Sequence, residues 1–143
     1  MKRILLIILS AVMLSGVLTA CSGSTQKIAD IKDVDIDLTA LSSTLVYSEV
    51  VNMIEKPEDY IGKKVKMKGA LSTYEDMKDG TIYYACIVAD ATACCQQGIE
   101  FHLAKETKYP ELGTEIEVVG DFDTYMDGKA RYCCLENAVM EVV

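Results

Sequence analysis

The sequence predicts one β-dominated domain, a small five-stranded Greek-key barrel preceded by a short helix. Three observations support this fold class. Apolar and polar residues alternate in most segments after Gly62, Asp-Gly pairs follow two of these segments, and only one segment before Gly62 has helical spacing. Five such strands are enough to close a barrel, which leaves no strand edge exposed.

The composition fits one small globular domain. The chain has 143 residues, of which 50% are hydrophobic and 25% charged, with a formal net charge of −8. These values exclude a disordered, fibrous or linker protein. Six cysteines, beside one histidine and no tryptophan, are the unusual feature.

Residues 1–20 have the pattern of a secretory signal peptide. Lys2 and Arg3 precede an apolar run that is too short for a membrane span of about 20 residues. The run ends in Leu-Thr-Ala-Cys, with the cysteine at position 21, and this ending resembles the lipobox of bacterial lipoproteins. The resemblance implies cleavage before Cys21 and lipidation of its thiol. An ordinary signal peptide or an uncleaved anchor is the alternative.

Cleavage at this point would leave an acidic protein tethered to a membrane. It leaves 12 basic and 22 acidic side chains, a formal net charge of −10. Two or more acyl chains give stable anchoring, so we expect the protein on the extracytoplasmic face of the cell membrane. Residues 21–45 form the lipid-anchored tether and leader, and residues 46–143 form the domain. Within the leader, residues 30–38 form either an edge strand or an extended segment.

The helix is predicted from Ser48 onward. Ser48 is a suitable N-cap, and the apolar residues after it lie three and four positions apart until Pro57 ends the helix. Residues 57–62 form one further turn, with proline at its start and Gly62 at its end.

The strands are predicted from the alternation of apolar and polar residues. The first alternates apolar residues with Lys64, Lys66 and Lys68, and we expect this cationic face to be solvated. Hairpin turns are predicted at Asp79-Gly80 and Asp127-Gly128. The five strands span residues 64–71, 82–89, 99–103, 115–123 and 130–142.

Two similar segments predict a ligand-binding mouth. Each contains Thr-Tyr shortly before an Asp-Gly turn, one after the first strand and one after the fourth. In a five-stranded barrel of the OB type, the loops after these strands lie beside each other at the binding mouth. The candidate ligand-binding residues are therefore Thr73, Tyr74, Thr124 and Tyr125. Alternatively, Thr-Tyr is simply suited to strand ends.

Five cysteines remain after Cys21, an odd number that cannot all pair within one monomer. Besides Cys86 they form two adjacent pairs, which an OB barrel would place on its neighbouring third and fifth strands. One interpretation is a disulfide between these strands. The other is a four-thiolate site for Zn(II) or Cu(I), formed by Cys94, Cys95, Cys133 and Cys134.

The metal interpretation needs a special backbone. Adjacent cysteines on a regular strand point to opposite faces, so both sulfurs of the first pair can face one ion only if residues 93–98 form a tight loop. Thiol redox chemistry has less support because no Cys-x-x-Cys occurs. We expect His102, which shares a strand face with Glu100, to be a solvated surface residue.

Two segments carry a resemblance to known proteins. Residues 57–65, with Gly69, resemble OB-fold domains of uncharacterised bacterial lipoproteins, and the Cys-Cys segment 89–101 is similar to theirs. The likeness covers about residues 46–143 and extends distantly to the soluble domain of permease-associated bacterial membrane proteins. It implies the fold and the location, but no activity.

No phosphate-binding loop, serine-nucleophile motif or zinc-protease motif is present, so an enzyme is not expected. The acidic charge opposes nucleic-acid binding. The sequence therefore predicts a lipid-anchored extracytoplasmic OB-fold binding module for a small ligand, a metal ion or a partner protein. The alternative is a thiol-based metal-binding or redox accessory protein of a membrane transporter. The sequence establishes no cofactor, and zinc or copper is the one that a metal-binding function would use.

Overall fold

The computed structural model describes residues 27–143, so the predicted signal peptide and Cys21 lie outside the described residues. One α-helix, α1, spans Ser43–Glu55. Short 3₁₀ helices lie at Ile28–Asp30, Leu38–Ala40 and Pro57–Asp59. The strands are β1 (Ile36–Asp37), β2 (Lys64–Glu75), β3 (Ile82–Ala89), β4 (Gln96–Leu103), β5 (Glu115–Asp127) and β6 (Ala130–Val142). No helix within this range is long and apolar enough to cross a membrane.

The six strands form one sheet that closes into a ring. The ring order is β2-β3-β4-β6-β5, and β5 pairs back with β2. Strands β4 and β6 run parallel, whereas the other neighbours in the ring are antiparallel. The two-residue β1 pairs in parallel with β2 outside the ring. The predicted β-dominated fold with one helix is thereby confirmed, and the sheet has six strands where five were predicted.

Strand β2 closes the ring because it changes partners along its length. Residues 64–70 pair with β5, and residues 70–75 pair with β3. At the changeover, Gly69 lies so close to β3 that a Cβ would overlap the carbonyl oxygen of Ile87 and lie 3.1 Å from Cys86 Sγ. A side chain at this position would push β2 and β3 apart.

The core lies inside the ring and under α1. Val65, Met67 and Leu71 of β2 are at most 1% exposed, as their alternation predicts. Phe101 and Phe122 are the largest buried side chains, and Val50 and Met53 of α1 are fully buried against them in the same apolar cluster. The helix therefore supplies part of the core that the strands enclose.

The predicted helix start was wrong. The N-cap is Ser42, and the hydroxyl of Ser48 instead donates a hydrogen bond to the carbonyl of Thr44 one turn earlier. Val46 and Tyr47 extend the apolar stripe toward the N-terminus, because both pack against the core. The helix ends at Glu55, before Pro57, as predicted.

The cationic face of β2 is paired with acids on β5. Lys66 lies 3.0 Å from Glu117 and Lys68 lies 3.2 Å from Glu115, and Lys64 pairs with Asp121. These partners neutralise the basic stripe. The expectation of a simply solvated face therefore misses its cross-strand ion pairs.

Replacing Gly69 with alanine tests the changeover in β2. We expect Gly69→Ala to lower the free energy of unfolding by about 3 kcal/mol, since the new methyl group overpacks the contact with Ile87. Gly128→Ala is the control, because a Cβ there meets open space and strains only the positive φ, at about 1 kcal/mol. Urea unfolding measures both values, and equal losses would contradict the close approach.

Candidate functional site

The tips of two hairpins meet over one face of β4. Tyr74 lies near the end of β2 and Tyr125 near the end of β5, and their hydroxyl oxygens are 3.4 Å apart. The ammonium group of Lys78, in the turn after β2, lies 2.6 Å from the carboxylate of Asp127 at the end of β5. The two Thr-Tyr segments thus lie beside each other, and ligand binding by them stays a prediction.

Only the tyrosines of these segments face the shared site. Thr73 has the strand parity of buried Leu71, and Thr124 has that of buried Phe122, so both threonines belong to the face that lines the core. The tyrosines stack on aromatic partners across their hairpins. Tyr74 packs on Tyr83 with ring centroids 4.9 Å apart, and Tyr125 packs on Tyr132 at 5.4 Å.

Glu100 of β4 lies beneath the two tyrosines. It is 5% exposed and is the only charged residue that is buried among residues 27–143. The hydroxyl groups of Tyr74 and Tyr125 both donate to Glu100 Oε2, at 2.6 and 2.8 Å. Burial, followed by the hydrogen bond with Glu100, raises the pKa of Tyr74. The pKa of Tyr125 is raised by burial and by its hydrogen bonds with Tyr74 and Glu100.

His102 is held between two carboxylates. Its Nε2 lies 2.5 Å from Glu100 Oε1, and its Nδ1 lies 2.7 Å from Glu136 Oε1. Burial lowers the pKa of His102, but the hydrogen bonds with Glu136 and Glu100 outweigh this effect and raise it above 6.5. The expected solvated histidine is therefore a partly buried, doubly hydrogen-bonded side chain.

Cys134 completes this group from β6. Its thiol lies 3.5 Å from Glu136 Oε1 and 3.7 Å from the carbonyl oxygen of Asp123. Burial, and then the charge of Glu136, raise the pKa of Cys134 to about 12. One ligand atom each from His102, Cys134 and Glu136 lie within 4.8 Å of one another. We call these three residues the His-Cys-Glu site.

The parallel pairing of β4 and β6 explains how the site forms. Glu100 lies opposite Cys134 in the register. His102 and Glu136 each follow two positions later along their strands, on the same face of the sheet. Two neighbouring strands therefore present imidazole, thiol and carboxylate groups together. The sequence signals were Glu100-x-His102 and Cys134-x-Glu136, but only the register joins them.

A second cluster lies in the loop between β3 and β4. Cys94 Sγ and Cys95 Sγ are 3.6 Å apart, and both residues are exposed. Ala93 has a φ of 55°, so the backbone reverses immediately before the pair. Ligand atoms of Asp90, Cys94 and Cys95 lie within 4.8 Å of one another. A tight loop thus brings the two sulfurs together, but it spans residues 90–95 and not the predicted 93–98, because residues 96–98 already belong to β4.

The structure does not bring the four predicted metal-binding thiols together. Strands β4 and β6 are neighbours, but Cys95 precedes Glu100, the partner of Cys134, by five residues, or about 16 Å along the strand. Cys133 Sγ points away from Cys134, toward the carbonyl of Met53 at 3.8 Å. All five cysteines among residues 27–143 are free, so no disulfide joins the two strands there.

Cys86 takes no part in either cluster. It is fully buried in the core, and burial raises its pKa to about 12. A protonated thiol without exposed surface acts as a small hydrophobic side chain. The lone cysteine is therefore structural.

No protein-family model matches the chain, and no curated protein matches it. The resemblance to OB-fold lipoproteins therefore stays a prediction. The candidate site depends on the geometry of its own residues.

The titration of His102 tests its two carboxylate contacts. The chain has one histidine, so untagged, metal-free protein gives one imidazole signal in NMR spectra. We expect its pKa above 6.5, and Glu136→Gln should lower that value. Because the pKa of His102 is raised in the folded state, its protonation adds to the free energy of unfolding. This contribution is complete below pH 6.5 and is lost as the pH rises through the folded-state pKa.

Glu117→Gln is the matched control for this titration. Glu117 is an acid on the neighbouring strand β5, but it pairs with Lys66. Its replacement should leave the pKa of His102 unchanged. Equal shifts in the two variants would show that general charge, and not contact with Glu136, sets the histidine pKa.

Proposed function

We propose that the chain is a lipid-anchored, extracytoplasmic binding module with an OB-type barrel, and that it binds a divalent transition-metal ion of the zinc class. The ligands are the imidazole of His102, the thiolate of Cys134 and the carboxylate of Glu136. The observation that carries this proposal is the convergence of these three donor types within 4.8 Å on two neighbouring strands.

The donor set suits zinc. Zn(II) binds nitrogen, sulfur and oxygen ligands and prefers four of them in a tetrahedron. Three protein ligands leave one position for a water molecule, a small ligand or a side chain of a partner. Thiolate and carboxylate together also balance the two charges of the ion.

Glu100 contacts the ring nitrogen of His102 that faces away from the proposed metal position. Histidines that bind a metal through one ring nitrogen commonly donate the other N–H to a carboxylate, which fixes the ring. His102 Nε2 faces Glu100 in this way, while Nδ1 faces Glu136 and the thiol of Cys134. A proton on Nδ1 takes the position of the metal when the site is empty. Metal and protons therefore compete for the site.

The same contacts favour binding over hydrolysis. A zinc hydrolase needs a free general base near its metal-bound water. Both oxygens of Glu100 are engaged, one by His102 and the other by Tyr74 and Tyr125. Glu100 therefore positions the imidazole of His102 and is not available to take up a proton from water.

The strand order supports the OB-type barrel. An OB fold has five strands, with its first strand paired to both its second and its fourth, and its third strand beside its fifth. The ring β2-β3-β4-β6-β5 has these neighbours. OB domains bind ligands on the face of their second and third strands, between the loops that follow the first and fourth strands. Tyr74 and Tyr125 precede these two loops, and Glu100 and His102 lie on β4, the third strand of this order. Cys134 and Glu136 lie on the neighbouring fifth strand, β6.

The environments of Cys86, Cys133 and Cys134 disfavour redox catalysis by these three thiols. A redox thiol must be a thiolate near neutral pH, and burial instead raises the pKa values of Cys86, Cys133 and Cys134. The alternative of a redox accessory protein therefore has less support. A metal-binding partner of a membrane transporter is compatible with the His-Cys-Glu site.

Metal titration of the mature chain tests the proposed site. We expect the chain to take up one Zn(II) ion at this site in competition with a chromophoric chelator. Cys134→Ser, His102→Asn and Glu136→Gln should each weaken binding about 100-fold or more. Glu100→Gln should weaken it about 10-fold to 100-fold, as outer-shell changes do. Cobalt substitution should give a thiolate charge-transfer band that Cys134→Ser removes.

Cys133→Ser is the matched control for Cys134→Ser. It replaces the neighbouring cysteine on the opposite face of β6, near Met53. Circular dichroism checks that each variant folds. Unchanged zinc affinity in folded Cys134→Ser and His102→Asn would overturn the metal assignment.

The predicted lipid anchor has a separate test. Cys21→Ser should leave the precursor uncleaved or release the protein from the membrane fraction, because the lipidated thiol is lost. Cys95→Ser is the control and should leave cleavage and fractionation unchanged. Normal processing and membrane retention of Cys21→Ser would exclude lipid attachment at this residue.

A further inference from the structure

The loop after β3 presents two adjacent thiols in one direction. On a regular strand the side chains of neighbouring residues point to opposite faces. Cys94 and Cys95 instead have their Sγ atoms 3.6 Å apart, directly after Ala93 with its φ of 55°. Both thiols are exposed. The loop therefore forms an open pair of sulfur ligands.

Asp90 holds this loop in shape. Its Oδ1 accepts hydrogen bonds from the backbone N–H of Cys94 at 3.0 Å and of Thr92 at 3.2 Å. Its Oδ2 accepts from the hydroxyl of Thr92 at 3.0 Å, and the thiol of Cys94 donates to it at 3.3 Å. The backbone N–H of Asp90 donates to the carbonyl of Cys95 at 3.0 Å, which closes the loop. The pair is thus preorganised before any ligand binds.

We propose that Cys94 and Cys95 form a second binding site, for a soft thiophilic cation of the Cu(I) class, with Asp90 as the residue that positions them. Thiolates select soft ions, and such ions accept two sulfur ligands without a full tetrahedron. Binding forms two copper–sulfur bonds, releases the two thiol protons to solvent and leaves all oxidation states unchanged. The carboxylate of Asp90 adds negative charge beside the cation.

A disulfide within the pair is geometrically disfavoured. Adjacent Cα atoms are about 3.8 Å apart, whereas disulfides usually join Cα atoms 4.4–6.8 Å apart. The cysteines of β6 do not reach the loop, because Cys95 lies about 16 Å along β4 from the partner of Cys134. Cys86, the nearest cysteine in sequence, is fully buried in the core. The two thiols therefore stay available to a metal ion.

This site is independent of the His-Cys-Glu site. The two groups share no residue and differ in chemistry, since one combines nitrogen, sulfur and oxygen ligands and the other presents two thiols. The dithiol proposal therefore does not rest on the proposed zinc function. Either site can fail its test without affecting the other.

Competition for Cu(I) tests the proposal. The full mature chain from residue 21, with Cys21→Ser to remove the only other thiol before the domain, is titrated anaerobically with Cu(I) against a colorimetric Cu(I) chelator. We expect one tightly bound ion. Cys94→Ser and Cys95→Ser should each weaken its binding at least about 100-fold, as the loss of one of two thiolate ligands requires. Excess Zn(II) should not displace the ion.

Cys133→Ser is the control and should keep tight Cu(I) binding. Equal Cu(I) affinity in the parent, Cys94→Ser and Cys95→Ser chains would overturn the proposal. Loss of binding in Cys134→Ser alone would assign the ion to the His-Cys-Glu site and would also overturn it. Since both loop thiols are exposed, the serine variants should fold, and circular dichroism checks this.

A dithiol-specific reagent gives a second readout. Phenylarsine oxide forms two sulfur–arsenic bonds with a close pair of thiols and releases water. One equivalent should remove the two thiols that react rapidly with Ellman's reagent in the native Cys21→Ser chain, and Asp90→Ala should slow this capture by loosening the loop. Capture at the same rate in Cys95→Ser would exclude a paired site.

Discussion

The buried carboxylate of Glu100 is the interaction on which the arrangement of the site depends. An ionised group that is removed from water without partners destabilises a fold by several kcal/mol. Tyr74, Tyr125 and His102 supply the partners, and they come from β2, β5 and β4. Leaving one such hydrogen bond unmade costs about 1–3 kcal/mol. The contacts that make a buried Glu100 tolerable therefore also hold the two hairpins together over β4.

Strand register determines which polar groups meet beside this anchor in the proposed metal site. Since side chains alternate between faces, a shift of β6 by one residue would turn Cys134 and Glu136 toward the core and Leu135 outward. Leu135 is fully buried, so the apolar core resists such a shift. Packing inside the ring thus fixes which polar groups meet outside it. The chemistry of the site depends on apolar residues that no ligand touches.

The sequence predicted what depends on local pattern. The strands 82–89 and 130–142 have their predicted bounds, and the approach of Tyr74 to Tyr125 followed from the similarity of two segments. It could not predict features that depend on register. Glu100 alternates with Ile99 and Phe101 as a solvent-facing residue would, and its burial arises from tyrosines that lie 25 and 26 positions away in the chain.

The cysteines show that two residues on neighbouring strands meet only when the register pairs them. Strands three and five of the prediction are neighbours, yet Cys94 and Cys95 lie in the loop before β4 while Cys134 lies opposite the middle of that strand. The separated thiols also differ in exposure to solvent. Cys134 is buried, and burial raises its pKa to about 12, so a metal ion bound there would compete with the thiol proton. The loop thiols are exposed to solvent, so the proposed dithiol site is open to ligands from outside the fold. The two proposed sites therefore differ in access, because Cys134 is covered by the fold whereas Cys94 and Cys95 face solvent.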